Sequence, residues 1–137
     1  MFIPICAFAQ AGQIAPDNMV ILTTDYPCKS TWTPTDDDVQ KALLKIYEFI
    51  DNPSGANDLE NKEIIKIKNK FSSYKVQFVG VEINGEKRIW CNFFCSDSFD
   101  YWKKNVVIVD DGGFCFWQIE YDYKTGKCIN FISNGYA

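Results

Sequence analysis

The spacing of apolar residues changes period along this chain, and each change marks an element. In "TPTDDDVQKALLKIYEFIDNPSG", Val39, Ala42, Leu43, Ile46, Phe49 and Ile50 recur at the helical period and make one apolar face. Thr33 or Thr35 can cap this helix, and Pro34 suits its first turn. Asp36, Asp37 and Asp38 favour the positive end of its dipole. Asn52-Pro53-Ser54-Gly55 stops it. The next stretch, "NDLENKEIIKIKNKFSSY", fits two periods. Ile64, Ile67, Phe71 and Tyr74 suit a helix, while Ile65, Ile67 and Phe71 against Lys66, Lys68 and Lys70 suit a strand. A helix is expected, with Asp58 as its cap and Glu60 and Glu63 in its first turn.

From Tyr74 the period shortens to two. Asn84-Gly85 is the type I′ turn signal between two β-rich runs, so "YKVQFVGVEINGEKRIWCNFFC" reads as a hairpin. A two-residue turn sets Ile83 opposite Glu86, Glu82 opposite Lys87, Val81 opposite Arg88 and Val79 opposite Trp90. One face then carries Val79, Val81, Ile83 and Trp90, and the other Val76, Phe78, Ile89, Cys91, Phe93 and Cys95. Both faces are apolar near the middle. One is expected to pack on helices and the other to meet further protein. "VVIV" at 106–109 reads as a short buried strand, Asp110-Asp111-Gly112-Gly113 as a glycine turn, and 114–123 as a strand. Its hairpin partner runs from Lys127 to Ser133 beyond Lys124-Thr125-Gly126. "MVILTT" at 19–24 could form a short edge strand in an otherwise irregular arm spanning 10–34.

Helices first and antiparallel strands after define an α+β domain over residues 35–137. The expected architecture is one or two helices packed on a curved four- to five-stranded antiparallel sheet, a cystatin-like or NTF2-like layout.

Composition removes several chemistries. There is no histidine among the 137 residues, so Ser-His-Asp and Cys-His catalysis and His-containing zinc sites are excluded for this chain alone. With a net charge of −4 and no Lys/Arg cluster, nucleic acid is not an expected partner. No apolar run reaches the roughly 18 residues of a membrane span. Residues 1–9, "MFIPICAFA", read as a signal-peptide remnant ending in the A-x-A site Ala7-Phe8-Ala9 before Gln10. The basic n-region is absent, which a start site placed too late would explain. Export to the cell envelope, the periplasm or the exterior is the expectation.

The six cysteines contain no CxxC pair. Cys91 and Cys95 share a strand about 13 Å apart, beyond the roughly 7 Å Cα separation a disulfide allows. Each must look to Cys115 or Cys128 on neighbouring strands, or remain a buried thiol. No helix N-terminus, histidine or basic cluster marks any cysteine as a nucleophile.

Asp110, Asp111, Glu120 and Asp122 could share a proton, bind a hard cation or cleave a glycoside. The ligand spacing of a calcium loop is missing, and neither metal nor cofactor is expected. No residue is assigned as catalytic. Were the chain a carboxylate-based hydrolase, Asp111 and Glu120 would be its acid pair. For a binding role the candidates are Phe114, Phe116 and Asp122, on the less apolar face of the 114–123 strand. Trp117 and Tyr121, on the more apolar face, belong to the core. "VQFVGV" approaches the QxVxG inhibitory loop of cystatins through Gln77 and Val79, but Gly80 stands one residue early.

At "VDDGGFCFWQIEYDYKTGKCINFISNGYA" the chain resembles a group of small uncharacterised bacterial proteins, often exported. They share a D-G-G-x-x-F-W-x-x-E-Y-D stretch and an N-G-[YV]-A ending. "YKVQFVGVEINGEKRIW" is similar to their Y-x-x-Q-[FY]-V-G-V…N-G-x-[KR] hairpin, so the resemblance covers residues 58–137. It implies an exported setting and no particular activity. The reading that follows is a small exported domain with a binding or structural role and no catalysis, its partner a protein or a glycan. The alternatives are the hydrolase and a protease-inhibitor or immunity-type protein acting through a loop such as Asn84-Gly85.

Overall fold

A computed structural model describes residues 13–135. Two helices lie on one face of a five-stranded open sheet of order β1-β2-β3-β4-β5. The strands are β1 (Met19–Ile21), β2 (Lys75–Ile83), β3 (Glu86–Phe94), β4 (Phe116–Asp122) and β5 (Cys128–Ser133). The helices are α1 (Asp36–Asp51) and α2 (Asp58–Lys70). The α+β layout is as expected, but the sheet is mixed rather than antiparallel throughout. β1 runs parallel to β2, pairing Met19 with Val76 and Ile21 with Phe78. Both helices intervene between β1 and β2 in sequence, which gives the chain the length a parallel return requires.

Both helices open on a capping box. The Thr35 hydroxyl accepts from the Asp38 N–H while the Asp38 carboxylate accepts from the Thr35 N–H, and Asn57 and Glu60 do the same for α2. Asn57, one residue before Asp58, is thus the cap of α2. The ambiguity of α2 is resolved by burial. Ile64, Ile67, Phe71 and Tyr74 are enclosed, whereas Ile65 is 61% exposed.

The β2–β3 register pairs Ile83 with Glu86 and Val79 with Trp90, as the Asn84-Gly85 turn dictates. Asn84 and Gly85 take positive φ of 53° and 81°. On the helix face, Phe71, Tyr74, Phe93 and Trp117 meet ring against ring, with Phe93 and Trp117 stacked at 3.9 Å. Ile46, Ile50, Ile64, Ile67, Phe78 and Ile119 complete this core.

The opposite face is covered by the chain itself. The arm packs Leu22 and Cys28 against Val79, Val81 and Trp90. The 99–109 segment packs Phe99, Trp102 and Val107 against Phe94 and Phe116. Residues 106–109 form no strand, and they act as part of this cover. Arm and sheet are locked at Gly80, whose carbonyl accepts from the Thr31 N–H at 2.9 Å. A Cβ at Gly80 would stand 2.1 Å from the Trp32 carbonyl oxygen, so only glycine fits.

The strand expected over 114–123 begins later, at Phe116. Gly112 and Gly113 take φ of 97° and 57°, and a 3₁₀ turn over Gly113–Cys115 follows. That turn breaks the alternation, so Phe114 does not share the face of Phe116. It also sets Cys115 against the end of β3, where it forms a disulfide with Cys95. The 1–9 leader expectation and Cys6 lie outside the described residues.

Candidate functional site

Gln77, Asn92 and Gln118 stand side by side on β2, β3 and β4, on the face away from the helices. Their neighbours along each strand are apolar, yet Gln77 and Asn92 are buried. Each amide is used. Asn92 Nδ2 donates to Gln77 Oε1 at 2.9 Å and to the Val107 carbonyl at 2.8 Å. Gln77 Nε2 donates to the Trp102 and Asn105 carbonyls at 2.6 and 2.8 Å, and Gln77 Oε1 accepts from the Val107 N–H at 2.9 Å. Gln118 Nε2 donates to Asn92 Oδ1 at 3.1 Å. A polar group buried without a partner costs about 1–3 kcal/mol, so this ladder binds the 102–107 segment to the sheet. Asn134 extends it, donating to the Val109 and Asp111 carbonyls.

Where the arm and the 106–109 segment fail to meet, they leave a cavity of about 250 Å³ over β3 and β4. Pro27 and Cys28 form one wall and Val107, Ile108 and Val109 the other. Trp90, Asn92, Gln118 and Asn134 complete the lining, and no charged side chain takes part. A larger groove, of about 450 Å³, runs between α2 and the edge strand β5, lined by Leu59, Glu60, Glu63, Phe131 and Ile132. Leu59 and Ile132 are 71% and 59% exposed there.

The residues singled out from sequence are dispersed. Glu120 lies on β4, between Trp90 of β3 and Ile129 of β5. Its Oε1 accepts from Arg88 Nη1 at 3.1 Å and its Oε2 from Asn130 Nδ2 at 3.1 Å. A bulge in β5 opposite Gln118 and Glu120 accompanies Asn130, whose φ is 57°. Asp111 is exposed at the other end of β4, where its carbonyl accepts from Asn134. Four residue steps along the strand, about 13 Å, separate Phe116 at that end from Glu120. Asp111 and Glu120 line none of the described cavities.

Asp122 is buried, and its Oδ1 accepts from the N–H groups of Lys124 and Thr125 at 3.0 and 2.9 Å. The Thr125 N–H in particular holds its carboxyl below the usual carboxylate range. This side chain builds the β4–β5 turn. Phe114 is half-buried beneath the ammonium groups of Lys66 and Lys70, at 5.6 and 5.5 Å. Phe116 is half-buried against Phe99 and above Gly112, where a Cβ would meet its ring at 2.4 Å. Both rings serve packing in this structure.

Gln77 and Gly80 of the cystatin-like stretch are a ladder amide and the seat of Trp32, in the middle of β2. Cys28, Cys91 and Cys128 are free thiols. Burial raises all three, Cys28 to about 11, with the Glu120 charge adding to the effect, and Cys128 to about 12. They stay protonated near neutral pH and are poor nucleophiles. Among the described residues no cluster of His, Cys, Asp and Glu could hold a metal ion, and no helix is long and apolar enough to cross a membrane.

Sequence reasoning passed over Gln77, Asn92, Gln118, Asn134, Trp90 and Cys28 as a group. The signal was present in part. The hairpin register sets Gln77 opposite Asn92, two amides inside otherwise apolar strands. No protein-family model matches the chain, and no curated protein or solved structure matches it.

Proposed function

We propose that this chain is an exported, non-catalytic binding domain whose ligand face is the sheet face opposite the helices. One observation carries this reading: the cavity between arm and loop, held open by a hydrogen-bonded amide ladder and lined by Trp90, Asn92, Gln118 and Asn134. A rigid concave site with a few placed polar groups is the ordinary form of a ligand pocket. The carboxylates that would serve a hydrolase are absent from it. Glu120 is paired with Arg88 and Asn130, and Asp122 is built into a turn. Export is supported by the Ala7-Phe8-Ala9 stretch and the resemblance to exported bacterial proteins, and the Cys95–Cys115 disulfide accords with it.

A second reading is favoured by the groove between α2 and β5. An edge strand beside exposed Leu59 and Ile132 suits an extended apolar peptide that adds a strand. One titration separates the two. Isotope-labelled protein is mixed with pooled oligosaccharides and pooled peptides, and amide shifts are mapped. Perturbations centred on residues 28, 90–92, 107–109, 118 and 134 are expected. Perturbations centred on 59–63 and 129–133 would replace this reading with the second.

A further inference from the structure

We infer that the cavity over β3 and β4 takes a single neutral sugar ring, an inference that rests on the binding reading above. Size is the first reason. About 250 Å³ lies just below the roughly 300–1,000 Å³ of pockets for drug-sized ligands, so it holds one ring and excludes a folded-in peptide segment. It also lies on the sheet's interior strands, between arm and loop, away from the unpaired edge an extended peptide would need.

The lining supplies the second reason. No charged side chain lines it, and Glu120, whose charge reaches Cys28, is already paired with Arg88, so a charged ligand finds no free counter-charge to repay the water it loses. What the lining offers is neutral hydrogen bonding. Asn92 is saturated by Gln77, Val107 and Gln118. Gln118 gives one amide hydrogen to Asn92, leaving its carbonyl oxygen and second hydrogen for a ligand. Asn134 uses its Nδ2 on the Val109 and Asp111 carbonyls, leaving its Oδ1 to accept. Hydroxyl groups, each donor and acceptor at once, match this mixture.

The third reason is the apolar wall. Trp90 and Ile108 flank the amides, and Ile108 is 49% exposed. A sugar ring has an apolar C–H face beside its hydroxyl rim, and an indole with neighbouring amides is complementary to both. The amides are already oriented by the ladder, so little side-chain ordering remains to oppose binding.

The test uses the chain with its disulfide intact and calorimetric titration. The neutral probes are methyl glucoside, methyl galactoside, methyl mannoside and N-acetylglucosamine, and the charged probes are glucuronic acid and glucosamine. At least one neutral probe is expected to bind, with both charged probes about tenfold weaker or worse. Ile108→Trp fills the cavity from an exposed position and is expected to abolish that binding while leaving the thermal midpoint near wild type. Gln118→Ala is expected to weaken it about tenfold. Absence of neutral binding, equal or tighter binding of a charged probe, or binding indifferent to Ile108→Trp would each overturn the inference. If the shift map of the pooled titration still centres on this cavity while all sugars fail, only the ligand class falls. If it centres elsewhere, the binding reading falls with it.

Discussion

On the helix face of the sheet, Phe71, Tyr74, Phe93 and Trp117 exclude water by ring-to-ring packing. On the other face, Gln77 and Asn92, the latter bonded in turn by Gln118, hold the cover by directed hydrogen bonds to backbone carbonyls and an N–H of the 102–107 segment. The first face depends on volume and tolerates imperfect polarity. Trp117 Nε1, buried there, has no hydrogen-bond partner. The second depends on satisfied polarity and tolerates a void, the cavity beside Trp90. Apolar packing is non-directional and closes every gap it can, whereas an amide ladder fixes its partners at set distances and can hold a gap open.

The largest effect should come from breaking the packed face. Trp117→Ala is expected to cost about 3–5 kcal/mol in urea denaturation, through lost burial and the cavity left behind. Trp117→Phe sharpens the point. It keeps most of the ring contact and removes an unpartnered N–H, so its cost should be less than half as large. A Phe variant as damaging as the Ala variant would mean that the indole nitrogen has a role the packing account omits.

Breaking the ladder should cost less and act locally. Gln77→Leu keeps apolar volume but strips partners from the Val107 N–H, the Trp102 and Asn105 carbonyls and one Asn92 hydrogen. About 2–4 kcal/mol is expected. Hydrogen exchange should accelerate in 99–109 while the amides of α1 stay protected. Uniform loss of protection would show that the two faces unfold as one unit.

The smallest effect concerns Asp122. Its carboxyl is held below its ordinary value, so it contributes stability that is present above the unfolded pKa, near about 3.9, and lost as pH falls through the folded one. Urea midpoints followed from neutral pH downward should fall less steeply in Asp122→Asn. Asp97, lowered by the ammonium of Lys75, keeps part of the slope. An unchanged slope would remove Asp122 from the acid response.

Much of the fold was legible in the sequence. The faces of α1, the β2–β3 register and the turn at Gly112-Gly113 all followed from short-range rules. The choice of helix for α2 was sound, and its cap differed by one residue. The start of β4 was misplaced, because a 3₁₀ turn over Gly113–Cys115 has no distinct hydrophobic period. That displacement moved Phe114 off the face it was expected to share with Phe116. The candidate site was less legible. Gln77 and Asn92 could be paired from the hairpin alone, but nothing local brings Val107, thirty positions from Gln77, to complete them.

The sequence by itself determined the helices, their apolar stripes, the hairpins and the exclusion of histidine chemistry. These depend on residues within a few positions of one another, where spacing and turn geometry decide. The tertiary structure alone decided that β1 runs parallel to β2, that Cys95 takes Cys115 and leaves Cys91 and Cys128 free, and that Gly80 must seat Trp32. It alone decided that the second sheet face is covered by the arm and the 99–109 segment with a cavity between them. Those outcomes depend on which distant segments meet, and that is set by how all the apolar surfaces and buried polar groups are satisfied at once.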